Sequence, residues 1–166
     1  LFGNMPQVRN FLRYWLPPGL WMLLIFGASA DTHSAEHSSR ILEPLLRWLL
    51  PGLSADQLGL AVLLARKLAH GIEYAVLALL LWRALRKPAA ADPRPWDWSM
   101  AGRTLLFVAL YAASDEWHQH LVPTRQGAVS DVLLDILGGL AGLFVAWLIV
   151  RWQQRRASSP GKLSLT

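Results

Sequence analysis

The chain has 166 residues, which suits a single domain, and it is 54% hydrophobic and only 16% charged, a balance that indicates a membrane protein rather than a soluble one. The absence of cysteine excludes disulfides and thiolate metal sites. The net charge of +5 does not predict nucleic-acid binding, because the basic residues lie in short segments between apolar runs.

Four apolar segments are long enough to cross the hydrocarbon core of a membrane, which takes roughly 20 helical residues. We therefore predict an all-α, polytopic fold, a four-transmembrane-helix bundle that forms one membrane domain over residues 14–152. The spans cover residues 14–30, 58–82, 104–122 and 129–150. We expect the first span to be retained rather than cleaved as a signal peptide, and its regular helix to begin at Pro17 and Pro18, because proline fits the first turn.

The segments outside the spans are short. Residues 1–13 form a cytoplasmic N-terminal segment, with residues 1–4 interpreted as a vector-derived addition, and residues 153–166 form a tail that we expect to be disordered. Between the first two spans, residues 40–50 mix charges with Leu and Trp, which predicts a short amphipathic helix in the outer interface. Ser54 and Gln57 then predict a capping box at the start of the second span.

The distribution of Lys and Arg predicts the orientation of the bundle. These residues concentrate in the N-terminal segment, in the loop between the second and third spans, and in the tail, so both termini are expected in the cytoplasm. The positions of the tryptophans agree with this orientation, because Trp48 and Trp117 then fall at the outer interface. Those expected at the inner interface are Trp15, Trp82, Trp96, Trp98, Trp147 and Trp152.

Ionisable residues inside the spans mark the candidate site, because charge within a membrane is costly and is usually retained for function. At about 1.5 Å per residue, the charged positions of the last three spans lie roughly 15 to 30 Å from the cytoplasmic end, in the outer half. The catalytic candidates are His70, Glu73, Asp115, Glu116 and Asp131. The candidates for substrate binding are Lys67, Tyr74, His118, Gln119, Arg125 and Asp135.

Helical spacing places the charges of each span on one face. The second span carries Lys67, His70, Glu73 and Tyr74 on such a face. On the fourth span, glycines follow aspartates at the same spacing, and small residues let a neighbouring helix approach closely. The fourth-span face consists of Asp131, Asp135, Gly138 and Gly142. We expect both faces to point into the bundle.

An alternative interpretation is that the cluster consists of ion pairs that hold the helices together, for example Lys67 with Asp135 or Glu116. Acids nevertheless outnumber bases, because only Lys67 and Arg125 oppose the five carboxyl groups of the three spans. This surplus predicts protonated carboxyls, a bound cation or a cationic ligand group. The five acids are Glu73, Asp115, Glu116, Asp131 and Asp135.

At these positions the sequence resembles the VanZ-like family of bacterial membrane proteins over about residues 66–142. Thr124 stands where the family often has Gly, and Asp135 where it frequently has Asn. The matching segments are Lys67-x2-His70-x2-Glu73-Tyr74, Ser114-Asp115-Glu116-x-His118-Gln119, Val122-Pro123-x-Arg125, Ser130-Asp131-Val132, and Asp135 with Gly138-Gly139. The resemblance implies a multi-pass protein of the bacterial cytoplasmic membrane with a link to resistance to the glycopeptide antibiotic teicoplanin.

The sequence is consistent with two alternative functions. The first is an enzyme acting on a lipid-linked or phosphate-bearing envelope substrate; the second is a noncatalytic binder of a lipid headgroup, a wall precursor or the antibiotic. The enzyme would use His70 with Glu73 as general base and orienting group, Asp115 or Glu116 as acid, and Lys67 and Arg125 as clamps on an anionic headgroup.

A metal site is a third possibility, because side-chain nitrogen and oxygen ligands of the kind that Zn²⁺ or Mn²⁺ accepts are present. Those ligands are His70, Glu73, Glu116 and His118. The sequence assigns no cofactor. A proton-linked transporter has less support, since the two halves show no inverted repeat. The expected partners are membrane lipids, and the expected state is a monomer or a homodimer.

Overall fold

The computed structural model describes residues 5–30, 34–88, 92, 94–121 and 129–158. These residues form five α-helices and no strand. In chain order the helices are α1 (Met5–Ala30), α2 (Ser34–Leu49), α3 (Ala55–Arg86), α4 (Trp98–His120) and α5 (Val129–Ala157). The prediction of an all-α fold is therefore confirmed for the described part of the chain.

The capping box predicted at the start of α3 is present. Ser54 Oγ accepts a hydrogen bond from the backbone N–H of Gln57 at 3.3 Å, and Gln57 Oε1 accepts one from the backbone N–H of Ser54 at 2.9 Å. This reciprocal capping box satisfies two backbone donors that a helix end otherwise leaves unpaired. Lys87 ends the helix in the left-handed conformation, with φ at 45°.

Helix α1 differs from the prediction at its start. It begins at Met5 and runs through Pro17 and Pro18, so the expected start at the two prolines is wrong. Each proline removes one backbone donor from the helix interior. Two hydrogen bonds one turn later join α1 to other helices: Trp21 Nε1 donates to the carbonyl of Glu73, and Tyr111 Oη donates to the carbonyl of Met22.

The closest packing in the bundle joins α3 to α5. A Cβ atom added to Gly138 would lie 2.2 Å from the carbonyl oxygen of Gly71, and one added to Gly142 would lie 2.2 Å from that of Ala75. Real side chains do not approach a backbone oxygen so closely, so both positions require glycine. The predicted close approach along the glycine face of α5 is confirmed, and it brings the aspartates of α5 against α3.

Helix α2 corresponds to the predicted amphipathic helix and is longer than the expected segment 40–50. It packs against α3, with Leu42 and Leu46 partly buried, while Ile41 and Trp48 are exposed. Its location in a membrane interface stays a prediction.

The connection between α3 and α4 is held by a buried ion cluster at Asp92. The Asp92 carboxylate accepts hydrogen bonds from Arg86 Nε at 2.7 Å and from Arg94 Nε at 2.8 Å, and Arg94 Nη2 also donates to the carbonyl of Arg86. Arg86 and Asp92 are both buried. Hydrogen bonds from Arg94, and secondarily from Arg86, hold the pKa of Asp92 below its usual range.

Apolar and polar residues are distributed unusually for a water-soluble bundle. Leu23 and Phe144 are 68% and 58% exposed, whereas Asp115 and Asp135 are 1% and 3% exposed. Large hydrophobic side chains are exposed on every helix. An exposed apolar surface of this extent indicates contact with a membrane or with another protein.

Within the described residues, two helices, α3 and α5, are long and apolar enough by length and composition to cross a membrane. Helix α4 carries Arg103, Asp115 and Glu116, and α1 interleaves its aliphatic residues with Tyr, Trp and Pro. These residues lower the hydropathy of both helices. The four-span arrangement therefore stays a prediction.

Candidate functional site

The polar residues selected from the sequence meet where α3, α4 and α5 pack together. The Lys67 ammonium donates a hydrogen bond to Asp131 Oδ1 and joins α3 to α5. The examples predicted from the sequence were Asp135 and Glu116, whereas the ion pair observed here joins Lys67 to Asp131, one turn before Asp135. The ammonium is therefore already partnered by a carboxylate.

His70 lies between two carboxylates from different helices. Its Nδ1 atom is 3.8 Å from Glu73 Oε2 on the same helix and 4.0 Å from Asp135 Oδ1 on α5. Both separations exceed a hydrogen bond but lie within the range of a direct electrostatic interaction. The imidazole therefore lies between carboxylates that come from two different helices.

A second cluster surrounds Asp115. Its Oδ2 atom accepts hydrogen bonds from Ser29 at 2.8 Å, Gln119 at 3.0 Å and Tyr74 at 3.4 Å. Its Oδ1 atom is buried and has no hydrogen-bond partner among the described residues. Since the three donors come from α1, α4 and α3, Asp115 links three helices through one oxygen atom.

A small cavity of about 40 Å³ lies beside these groups. It has room for an ion or a water molecule and is far below the several hundred Å³ of a site that encloses a small-molecule ligand. It is lined by Lys67, His70, Glu116, Gln119, Asp131, Leu134 and Asp135. The residues predicted on three separate helices thus border one shared space.

Asp135 is a deeply buried carboxylate that lines this cavity. Its side chain is 4% exposed, and its Oδ1 atom lies 4.0 Å from His70 Nδ1.

Three other candidates predicted from the sequence are not among the described residues that line the cavity. Tyr74 belongs to the Asp115 cluster and not to the cavity wall. The His118 ring packs on Phe26 of α1, with ring centroids 4.3 Å apart, and its Nδ1 atom has no hydrogen-bond partner in the described part of the chain. Arg125 lies outside the described residues.

Ser29 is a site residue that the sequence reasoning missed. It is 1% exposed and donates to Asp115, and it also accepts a hydrogen bond from Gln119 at 3.3 Å. A signal was present, because Pro18, Ile25 and Ser29 follow the helical repeat of the buried face of α1. A lone serine on that face would have been the position to examine.

The arrangement offers proton acceptors and negative charge but no closed metal site. Among the described residues, no group of three His, Asp or Glu side chains is arranged to hold a metal ion. A tetrahedral zinc site built from His70, Glu73, Glu116 and His118 therefore has no support in these residues, since His118 points to Phe26.

A larger groove of about 550 Å³ lies between α4 and α5, and its walls are apolar. They include Trp98, Leu105, Leu140 and Phe144. The groove is lined by no ionisable side chain.

Comparison with protein families places this geometry in a known context. The model of the VanZ/LLP1 family matches residues 14–150. The chain belongs to the VanZ/LLP1 family. The match confirms the resemblance drawn from residues 66–142 and extends it to α1, which supplies Ser29. No match is found among curated proteins or among solved structures.

Proposed function

We propose that this VanZ/LLP1 family member is a four-span protein of the bacterial cytoplasmic membrane whose polar cavity acts, from the outer half of the bilayer, on a lipid-linked or phosphate-bearing envelope substrate. The observation that carries the proposal is the inversion of polarity. Carboxylates such as Asp115 and Asp135 are buried where the helices meet, and leucine and phenylalanine cover the outside. Lipid is the surrounding that suits this distribution.

The orientation is supported by a belt of arginine and aromatic residues at the end of the bundle remote from the cavity. Trp82 stacks on Trp96 with ring centroids 5.5 Å apart, and Arg151 lies 5.3 Å from the ring centroid of Trp147. Tryptophan marks both membrane–water boundaries, and arginine and lysine are enriched on the cytoplasmic one. The belt therefore favours a cytoplasmic location for both termini and an outward location for the cavity.

In the proposed reaction, His70 is the proton acceptor and Glu73 and Asp135 stabilise its charged form. Asp115 or Glu116 is the acid, and Asp115 is positioned by three hydrogen bonds to its Oδ2 atom. Lys67 reaches an anionic headgroup by exchanging its bond to Asp131. The link to teicoplanin resistance implied by the family fits a substrate on the outer face of the membrane.

A noncatalytic binder is the second candidate, and the small cavity favours it. A space of about 40 Å³ admits one polar group of a headgroup and not a whole substrate. A binder would retain an unaltered lipid through purification, whereas an enzyme would convert the lipid during incubation. Mass spectrometry of lipids extracted before and after incubation distinguishes the two.

The test of the proposal is His70→Gln, with His120→Gln as the matched control because His120 is exposed at the end of α4. Loss of a general base typically costs roughly 10²- to 10⁴-fold in rate. We expect the His70 variant to fall to the teicoplanin resistance and lipid profile of cells without the protein, and the His120 variant to match the wild type. Wild-type behaviour of a stably expressed His70 variant would exclude the proposed role.

A further inference from the structure

The apolar groove between α4 and α5 continues at one end into a polar depression. Trp96 and Trp98 line both the groove and the depression. The depression has a volume of about 540 Å³, and the charged residues of its wall are Arg86, Arg94 and Asp97. An apolar groove that ends in a charged depression has the shape of an amphipathic molecule, which joins a long hydrocarbon part to a polar head.

The apolar part of this surface is long enough for the hydrocarbon of a lipid. Its α4 wall extends from Trp98 to Leu105, and its α5 wall extends from Leu140 to Trp147. Seven residues of helix cover about 10 Å. The hydrocarbon core of a whole bilayer is about 30 Å thick, so the groove covers most of the depth of one leaflet. An acyl chain therefore fits along it.

The carboxylates at the polar end of the groove are already engaged. Asp92 is paired with Arg86 at 2.7 Å and with Arg94 at 2.8 Å, so two guanidinium groups share one carboxylate. Asp97 accepts a hydrogen bond from the backbone N–H of Met100 at 3.0 Å. These acids therefore do not oppose further positive charge near the groove.

Two exposed arginines flank the groove and are bound to no carboxylate in the described part of the chain. Arg103 Nη2 donates a hydrogen bond at 3.0 Å to the hydroxyl of Ser99, which belongs to the wall of the depression. Arg151 lies over the ring of Trp147 on the opposite wall of the groove. Basic pockets between membrane helices on the cytoplasmic side bind anionic lipid headgroups.

We propose that this groove binds one anionic phospholipid, with an acyl chain between α4 and α5 and its phosphate beside Arg103 and the polar depression. Its place in the cytoplasmic leaflet rests on the orientation given in the proposed function. The site is separate from the polar cavity, which lies towards the other end of the same helices. A second copy of the chain suits the groove less well, because a two-fold pair brings the same basic end against itself.

Native mass spectrometry tests the headgroup part of the site on the full chain, purified in detergent and freed of lipid. The probes are phosphatidylglycerol and phosphatidylcholine with identical acyl chains. We expect the wild type to retain one phosphatidylglycerol in preference to phosphatidylcholine. Arg103→Gln should weaken phosphatidylglycerol binding by about fivefold, the effect of one cation near an anionic headgroup. Arg9→Gln, at an exposed position on α1, should bind as the wild type does.

A leucine placed in the groove tests the acyl part of the site. Nothing lies within 4 Å of the Cβ position of Gly102 or of Gly59, and both residues are exposed. Gly102 lines the groove, whereas Gly59 lies on α3. We expect Gly102→Leu to weaken phosphatidylglycerol binding by at least about tenfold, because displacing two methylene groups of the chain already has that effect. Gly59→Leu is the matched control and should bind normally.

Equal retention of the two lipids by the wild type, or equal binding by the two leucine variants, would overturn the lipid site. A wild-type dimer that Gly102→Leu dissociates without changing lipid retention would also overturn it, since a second copy would then cover the groove. If Gly102→Leu does not fold, Arg103→Gln decides, and an unchanged preference for phosphatidylglycerol would contradict the site. Selective binding together with a fully active His70→Gln variant would refute the proposed function and support the lipid site.

Discussion

Asp92 illustrates how one residue fixes a connection in this molecule. The side chains of Arg86 and Arg94 converge on its carboxylate, and Arg86 is itself buried. Removing the charge of Asp92 leaves a buried guanidinium without its counter-ion, which is among the more costly single changes in a protein.

We predict that Asp92→Asn lowers the free energy of unfolding by about 3 kcal/mol at pH 7. The pKa of Asp92 is below its ordinary value of about 3.9, so the unfolded chain takes up a proton first as the pH falls. The stabilisation is therefore complete above about pH 4 and is lost as the pH falls towards the lowered native pKa.

Thermal unfolding in detergent at pH 7 and at pH 3 measures this effect. The difference in melting temperature between the wild type and Asp92→Asn should be smaller at pH 3 than at pH 7. Glu43→Gln, at an exposed position on α2, should have the melting temperature of the wild type at both pH values. An equal difference in melting temperature at the two pH values would show that the charge of Asp92 contributes nothing to stability.

The sequence predicted which residues share the site better than it predicted their partners. The periodicity of an α-helix places Lys67 and His70 on one face of α3, and the same holds for Asp131 and Asp135 on α5. It does not decide which aspartate Lys67 contacts, because the two lie one turn apart and the reach of the lysine side chain selects between them. That choice depends on how far α3 and α5 are shifted relative to each other along their axes.

At the scale of helices, the glycine face of α5 determines how deeply the site is enclosed. Gly138 and Gly142 contact the backbone of α3, which brings Asp131 and Asp135 within reach of Lys67 and His70. This contact was predictable from spacing because only small residues permit it. The course of α1 through its prolines was not, since tertiary hydrogen bonds such as that from Trp21 stabilise it.

We predict that Gly138→Ala separates α3 from α5 and lowers the melting temperature of the purified protein, because the new methyl group would overlap the Gly71 carbonyl. Gly102→Ala is the control, since nothing lies within 4 Å of its Cβ position and alanine favours a helix by up to about 1 kcal/mol. Equal melting temperatures for the two variants would contradict the packing of α3 against α5.

At the scale of the whole molecule, we propose that the helices cross a membrane and present the polar cavity to its outer side. Length and composition support crossing for α3 and α5, and α5 has the cavity at its first turn and Arg155 and Arg156 at its last. Helices α1 and α4, also predicted as spans from the sequence, have lower hydropathy because of their charged, proline and aromatic residues.

The chain contains no cysteine, so single cysteines report topology without background. Ser130→Cys lies beside Asp131 at the start of α5, and Ser158→Cys directly follows its end; both positions are exposed. With a membrane-impermeant maleimide on intact spheroplasts, we predict labelling of the cysteine at 130 at once and of that at 158 only after permeabilisation. Equal labelling of both before permeabilisation, or the reverse order, would contradict the account.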